Sequence, residues 1–306
     1  MILIIYPSPT KELNVNEKQF ITIGDYIKDQ NIQLIEDTKL ENFEKYKDVK
    51  TIVVLLDNYG KFIEKYIEFI KNHKEIRFYI HENDLNKNES KLTAYNRYML
   101  LRSQLSNLPH VYILAYYWYF YKTLYNINHS NLIMFPKFVF KRNIGEVKNN
   151  VKPKILLSGS MGRYYPMRHH IFNLHHRLVD RLDPNDNING DQYINYLGGY
   201  LCCFTCCLTR NTPYVINKFF EIPSSGSLLL AYDYWVKEPL KQLGFIDGQN
   251  YISCTPENLV NRIQWICNSK NRNEVDRIRK NGYELVKNHH TDQIRYHFLK
   301  NLIERK

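Results

Sequence analysis

The sequence has no apolar stretch long enough to cross a membrane. A spanning helix needs about 18 apolar residues in a row, and the aromatic-rich segment from Leu108 to Tyr125 is broken by polar side chains. The amino terminus, Met1 to Tyr6, is apolar at once and lacks the basic region and cleavage site of a signal peptide. We therefore predict a cytoplasmic protein with no membrane span and with reduced cysteines.

Cysteine is scarce and does not form a metal motif. Four of the six cysteines lie together at Cys202, Cys203, Cys206 and Cys207. Adjacent cysteines seldom direct both sulfurs at one tetrahedral metal, and no second cluster of His or Cys follows at zinc spacing. The segment from Leu201 to Leu208 is therefore predicted to be a buried strand rather than a metal site.

The positive charge of the sequence is not gathered into one basic block. The formal net charge is +11, but the lysines are scattered along the chain and no nucleic-acid-binding motif is present. Such a charge suits a diphosphate ligand as well as a polyanion. Binding to nucleic acid stays open as an alternative, and it predicts an affinity that falls steeply with salt.

The pattern of apolar segments predicts an α/β fold. Short apolar runs such as Ile2 to Tyr6 and Thr51 to Leu56 alternate with segments of helical spacing such as Tyr59 to Asn72. This alternation is typical of βαβ units with a parallel sheet. No Gly-x-Gly-x-x-Gly follows the first strand, which argues against a dinucleotide cofactor bound in the usual way.

A chain of 306 residues has a length typical of about two domains. A second α/β pattern begins at Lys154, after a polar segment without clear periodicity. We predict a Rossmann-like domain at residues 1–140, a linker at 141–153 and a second Rossmann-like domain at 154–306, with a cleft between the two domains.

A histidine-rich segment follows the first strand of the second domain. We predict one helix from about Pro166 to Arg181, which contains four histidines. They are His169, His170, His175 and His176. Their spacing would permit a metal site, but a solvated helix face is the preferred interpretation, and we predict no bound metal.

The segment from Lys218 to Asp233 has the pattern of a ligand-binding turn. Glu221 lies five residues before Gly226, and an apolar run from Leu228 to Ala231 follows. The pattern predicts a short helix, a tight polar turn and a buried strand. Backbone N–H groups at such an edge bind anions, and a carboxylate there binds ribose hydroxyls. A solvent-exposed acid beside an ordinary turn remains the alternative.

Three segments in one order carry a family resemblance. They are Phe220 to Leu230, Gly244 to Asn250, and Asn281 to Arg295. Together they resemble the carboxyl-terminal domain of GT-B glycosyltransferases of the group-1-like type, in the branch that includes spore-maturation-type proteins. The resemblance covers roughly residues 154 to 300.

The resemblance implies transfer of a hexosyl or deoxyhexosyl group from a nucleoside-diphosphate sugar, without a metal. It assigns Glu221 to the ribose of the donor. Backbone groups near the diphosphate would come from two loops, namely Gly159 and Ser160, and Ser224, Ser225, Gly226 and Ser227. Related enzymes often have a second acid where this chain has Pro213, so sugar recognition and stereochemistry stay open.

Two arginines match a phosphate-binding pattern of the same family. Arg163 and Arg168 are five residues apart, where related enzymes have an Arg and a Lys that both reach the donor phosphates. Arginine keeps the charge at the second position but has a planar, forked geometry. A cation at a helix amino terminus is disfavoured by the helix dipole, which favours a functional role here.

The acceptor and the catalytic base are less defined by the sequence. His81 ends a strand of the first domain and is a candidate general base for an acceptor hydroxyl. The acceptor itself could be a glycan, a protein or a small molecule. A non-catalytic homologue that binds sugar nucleotides or glycans is the second hypothesis.

Overall fold

The computed structural model describes residues 1–6, 32–36, 43–46, 48–55, 59–82, 104–105, 107–116, 118–120, 131–159, 165–182, 188, 190–207 and 215–304. The chain divides into two compact units, Met1–Pro136 with Arg295–Lys306, and Lys137–Ile294. Each unit contains a parallel sheet with helices, so the predicted α/β class is confirmed.

The first unit is built on a parallel sheet. Its described strands are Ile2–Tyr6 (β1), Ile32–Glu36 (β2), Thr51–Val54 (β3), Arg77–Glu82 (β4), Val111–Ala115 (β5) and Leu132–Met134 (β6). They run in the order β2-β1-β3-β4-β5-β6. Its described α-helices are Tyr59–Asn72 (α1) and Trp118–Phe120 (α2).

Both faces of this sheet are buried. Leu3, Ile52 and Phe78 pack with Ile70 of α1 in one apolar cluster, while Ile4 on the opposite face of β1 is 0% exposed. Parallel strands covered on both faces need continuous apolar runs rather than alternating ones. This requirement explains why the short runs of the sequence located the strands.

The second unit has a parallel sheet in the order β11-β10-β9-β7-β8. Its described strands are Lys152–Leu157 (β7), Val179–Arg181 (β8), Tyr200–Cys206 (β9), Leu228–Tyr232 (β10) and Ile252–Ser253 (β11). Its described α-helices are Pro166–Asn173 (α3), Gly190–Leu197 (α4), Lys218–Ser224 (α5), Lys237–Gln242 (α6), Leu259–Cys267 (α7) and Arg272–His289 (α8). Helix α9 follows at Asp292–Glu304.

The order of strands reverses at β7. The next strand along the chain, β8, pairs with one side of β7, and β9 pairs with the other. The connections after β7 and β9 therefore leave the sheet in opposite directions. Ligands of open parallel sheets bind at this kind of switch point, outside the carboxyl ends of the strands.

The single helix predicted from Pro166 to Arg181 is wrong in its second half. Helix α3 ends at Asn173, and His175 takes a left-handed backbone conformation with φ of 44°. The chain then returns to the sheet as β8. His169 and His170 therefore lie on α3, whereas His175 and His176 lie beyond it. Nowhere in the described ranges do three or more His, Cys, Asp or Glu side chains form a group that could hold a metal ion.

The segment predicted as a linker packs within the second unit. Gly145 N donates to Ser224 O at 2.9 Å, and the Tyr283 hydroxyl donates to Gly145 O at 3.0 Å. Arg272 Nη2 donates to Asn149 O at 3.1 Å. Because the polar backbone finds these partners on α5 and α8, the compact unit begins at Lys137 rather than at Lys154.

The cysteine-rich segment forms β9, as predicted. Every residue of β9 is buried, and all six cysteines are free thiols. Burial raises the pKa of Cys203 to about 12 and that of Cys206 to about 11. In the part of the chain that the structure describes, no helix is both long and apolar enough to cross a lipid bilayer.

Candidate functional site

The switch point of the second sheet gathers charged and polar side chains. Strand β7 leads into Ser158 and Gly159, and α3 begins seven residues later. Strand β9 is followed by α5, whose first residue is Lys218. The amino ends of α3 and α5 thus meet at the carboxyl edge of the sheet, where free backbone and side-chain donors can face a ligand.

Two cationic side chains converge beside Gly159. A Cβ added to this glycine would lie 3.1 Å from Arg168 Nη1 and 3.3 Å from Lys218 Nζ. Gly159 also has a φ of 94°, a conformation that a side chain rarely adopts. Glycine at this position therefore leaves room for both cations to approach the end of β7.

Arg168 is buried although it carries a charge. Arg168 is 2% exposed. Its guanidinium lies 3.8 Å from the ring centroid of Tyr165. The charge also acts on the thiol of Cys206 at the end of β9. Arg168 therefore places a buried positive charge at the edge where open parallel sheets bind their ligands.

Lys218 is held by an aromatic residue of α4. Its ammonium donates a hydrogen bond to the Tyr193 hydroxyl and lies 4.4 Å from the centroid of the same ring. The Tyr193 hydroxyl is also 2.9 Å from Ser158 Oγ at the end of β7. Burial lowers the pKa of Lys218 to about 8, Glu221 opposes this shift, and Arg168 adds to it.

Glu221 lies in the first turn of α5, three residues after Lys218. Its carboxylate acts electrostatically on both Lys218 and Tyr193. The residue is partly exposed, so a ligand can reach the carboxylate. The structure therefore brings together Glu221, Arg168 and Gly159, which were separate predictions from the sequence.

The polar turn after α5 lies elsewhere. Ser225 and Gly226 follow the carboxyl end of α5 and precede the amino end of β10, at the opposite edge of the sheet. The backbone N–H of Ser225 donates to Glu221 O at 3.1 Å, and that of Gly226 donates to Pro223 O at 2.9 Å. These groups are therefore already engaged within the helix end.

The serines of this turn are also buried by structural contacts. Ser224 Oγ donates to Glu221 O at 2.8 Å, and Ser227 Oγ lies 2.6 Å from Leu197 O. Ser224, Ser225 and Ser227 are 0%, 1% and 1% exposed. We therefore remove Ser224, Ser225, Gly226 and Ser227 from the candidate site, because the helix carries them away from the switch point.

His81 lies in the core of the first unit. His81 is 0% exposed. Its ring makes edge contacts with the rings of Tyr116 and Phe135, at 4.6 Å and 5.5 Å between centroids. A general base must come within hydrogen-bond distance of the acceptor hydroxyl. In this conformation the imidazole does not reach solvent, so the structure does not place it at a site.

Two predicted residues, Arg163 and Ser160, lie outside the described residues, as does Pro213. Sequence reasoning missed Lys218, Tyr193 and Ser158. The one available signal was the spacing of Lys218, three residues before Glu221, which places the two side chains on the same face of a helix.

The chain has the GT-B fold, with two Rossmann-like units, and shares it with solved structures of glycosyltransferases. It is similar in structure to HepE from Anabaena in complex with UDP and glucose, with a TM-score of 0.63, 10% identity and 98% of each chain covered. Sucrose-phosphate synthase from Thermosynechococcus elongatus matches with a TM-score of 0.65 and 12% identity, over 98% of this chain and 97% of that one.

A glycosyltransferase from Rickettsia africae matches with a TM-score of 0.60 and 12% identity, over 99% of this chain and 97% of that one. The sequence matches no protein-family model and no curated protein. At these low identities the similarity establishes the fold alone. The chemistry of the site depends on the residues that this chain places there.

Proposed function

We propose that the protein is a glycosyltransferase that moves a hexosyl or deoxyhexosyl group from a nucleoside-diphosphate sugar to an acceptor hydroxyl. The observation that carries the proposal is the position of Arg168 beside Gly159 at the switch point of the second sheet, with Glu221 in the first turn of α5. HepE, which shares the fold, was crystallised with UDP-glucose. The acceptor would be a glycan, a protein or a small molecule.

The reaction accounts for the charges of the site. The bond between the anomeric carbon and a diphosphate oxygen breaks, and its electron pair stays on the leaving diphosphate. The acceptor oxygen forms the new bond to the anomeric carbon, and its proton passes to the leaving diphosphate. Negative charge therefore grows on the diphosphate, and fixed cations that face it stabilise the transition state.

Each residue has a role in this proposal. Arg168, together with Arg163, contacts the diphosphate, and the carboxylate of Glu221 accepts hydrogen bonds from the ribose hydroxyls. Gly159, followed by Ser160, lets the donor approach the end of β7. The second unit binds the donor and the first unit serves the acceptor. Because arginines supply the positive charge, the transfer needs no metal, and a chelator leaves the rate unchanged.

The proposal includes a cytoplasmic location. Six free cysteines, five of them buried, support it, because thiols persist in a reducing compartment.

A thermal-shift screen with UDP, GDP, dTDP and CMP sugars tests donor binding without knowledge of the acceptor. A ligand at 100 times its dissociation constant adds about 2.7 kcal/mol to the stability of the protein that binds it. We expect one nucleotide class to raise the melting temperature. A screen in which no sugar nucleotide changes it would contradict the proposal.

Replacement of Glu221 by alanine tests the site itself. The loss of charged hydrogen bonds worth about 1.5–3 kcal/mol predicts a fall in donor hydrolysis or transfer of roughly 10- to 100-fold. The matched control is Glu238→Ala, which removes an exposed acid from the first turn of α6. Equal activity in both variants would overturn the assignment, and tight nucleotide binding without turnover of any donor would instead support the non-catalytic binding homologue.

A further inference from the structure

We propose that Lys218 binds the diphosphate of the donor together with Arg168, and that Tyr193 positions its ammonium for this contact. The inference rests on the proposed glycosyl transfer and adds a residue to it. No motif in the sequence marks Lys218 or Tyr193, and their role follows from where three elements of the second unit meet.

The ammonium of Lys218 is fixed at the site by its surroundings. Helix α4 supplies the Tyr193 ring and hydroxyl, and the end of β7 supplies Ser158, which pairs with the same hydroxyl. An ammonium has three N–H donors, and the Tyr193 hydroxyl is its acceptor among the described residues. The remaining donors can face a ligand that supplies several oxygens.

The charges around Lys218 favour an anionic ligand. Its Nζ and Arg168 Nη1 lie 3.3 Å and 3.1 Å from the position that a Cβ on Gly159 would occupy. Among the described residues no ion pair within 4.0 Å involves Lys218 Nζ, although the more distant Glu221 attracts it. Two cations so close to one point repel each other, and an anion between them relieves this repulsion. A diphosphate has enough oxygens and charge to contact both.

The lowered pKa of Lys218 predicts that diphosphate binding depends on pH near 8. Burial lowers it to about 8, so the free protein loses this positive charge as the pH rises through 8. Arg168 from α3, Tyr193 from α4, Cys203 from β9 and Glu221 from α5 face the same ammonium. Burial raises the pKa of Tyr193 above its ordinary value and that of Cys203 to about 12, which leaves Lys218 as the group shifted into the range near pH 8.

The sign of the effect follows from linkage. A diphosphate prefers the protonated ammonium, so binding raises the pKa of Lys218 and takes up a proton above pH 8. The dissociation constant then increases by up to about 10-fold per pH unit above 8. The second ionisation of a phosphate occurs near pH 6, so a terminal phosphate of the nucleotide does not titrate in this range.

Isothermal titration with UDP, or with the nucleoside diphosphate that the donor screen selects, tests the inference at pH 7 and pH 9. In the wild type we expect weaker binding at pH 9 and proton uptake, measured in buffers of different ionisation enthalpy. K218M should weaken binding by about 10- to 100-fold at pH 7 and lose the pH dependence. K241M, which removes an exposed lysine of α6, should behave as the wild type.

Other outcomes separate this inference from the proposed function. K218M that binds UDP as the wild type does, with the same pH dependence, while Glu221→Ala weakens binding, would overturn the role of Lys218 and leave the proposed function standing. A wild type that binds no nucleoside diphosphate would overturn both. If K218M does not fold, K218R decides, because guanidinium stays charged at pH 9 and an unchanged pH dependence in that variant would refute the inference.

Discussion

Gly226 is a position where the backbone of a distant segment leaves no room for a side chain. Its φ is 84°, and a Cβ there would lie 2.7 Å from the carbonyl carbon of Glu146 and 2.8 Å from Val147 Cα. Both are backbone atoms, which cannot move aside as a flexible side chain can. Gly226, which the sequence pattern predicted to be part of a ligand-binding turn, is therefore required by packing rather than by a ligand.

We expect Gly226→Ala to destabilise the protein by roughly 2–5 kcal/mol, as the sum of left-handed strain and overpacking. Gly248→Ala is the matched control, because Gly248 has a φ of 73° and no atom within 4 Å of an added Cβ. That variant should cost only the backbone strain, roughly 1–2 kcal/mol. Urea denaturation followed by circular dichroism measures both, and equal losses would show that the contact with Glu146 is unimportant.

Only some of the individual residues of the candidate site were predictable from the sequence. Glu221 and Arg168 were found because their spacing to a glycine or to another arginine is a property of the chain itself. Lys218 was not found, because its contact with Tyr193 joins α5 to α4 and is created by the fold. The serines after α5 were assigned to the site because the sequence pattern does not show at which edge of the sheet a turn lies.

Helix α8 ties the Gly226 turn to the segment that precedes β7. Arg279 of this helix is 1% exposed, and its guanidinium donates to Gly226 O at 2.9 Å and to Lys148 O at 3.2 Å. It also forms an ion pair with Asp276 at 2.6 Å. One side chain thus satisfies backbone carbonyls from two separate segments.

Arg279→Met should cost about 2–4 kcal/mol, because the buried carbonyl of Gly226 loses its donor and Asp276 keeps only one of its two arginine partners, Arg272. Arg277→Met on the same helix is the control. Arg277 is exposed and pairs with exposed Glu274 at 2.7 Å, and such surface pairs contribute little to stability. Thermal unfolding of the two variants should differ clearly. If the two melting temperatures fall together, α8 does not hold the turn through Arg279.

Elements were predictable where burial alone defined them. The sequence pattern located β1 at Ile2–Tyr6 and α1 at Tyr59–Asn72 with the bounds that the structure has. It missed β8, at Val179–Arg181, because this strand is three residues long and follows a left-handed residue that is not glycine. A strand that short has no pattern of its own, and its pairing with β7 determines it.

The first unit is completed by the end of the chain. Residues Arg295–Lys306 belong to it although the whole second unit separates them from Pro136 in sequence. The Tyr79 hydroxyl of β4 donates to Leu302 O at 3.2 Å, and Arg295 Nε donates to Pro136 O at 3.1 Å. Burial lowers the pKa of Arg295 to about 10. Sequence patterns carry no signal of this return, because it joins residues more than 150 positions apart.

We therefore expect a cavity in α9 to weaken the first unit selectively. Leu299 is 0% exposed, and Leu299→Ala should cost about 2–5 kcal/mol through lost contacts and the cavity left behind. In hydrogen exchange, amides of β4 and β5 should lose protection, whereas those of β9 and β10 should keep it, because locally cooperative units open separately. Lys300→Ala, an exposed change on the same helix, serves as the control. Equal loss of protection in both sheets would mean that the two units unfold as one.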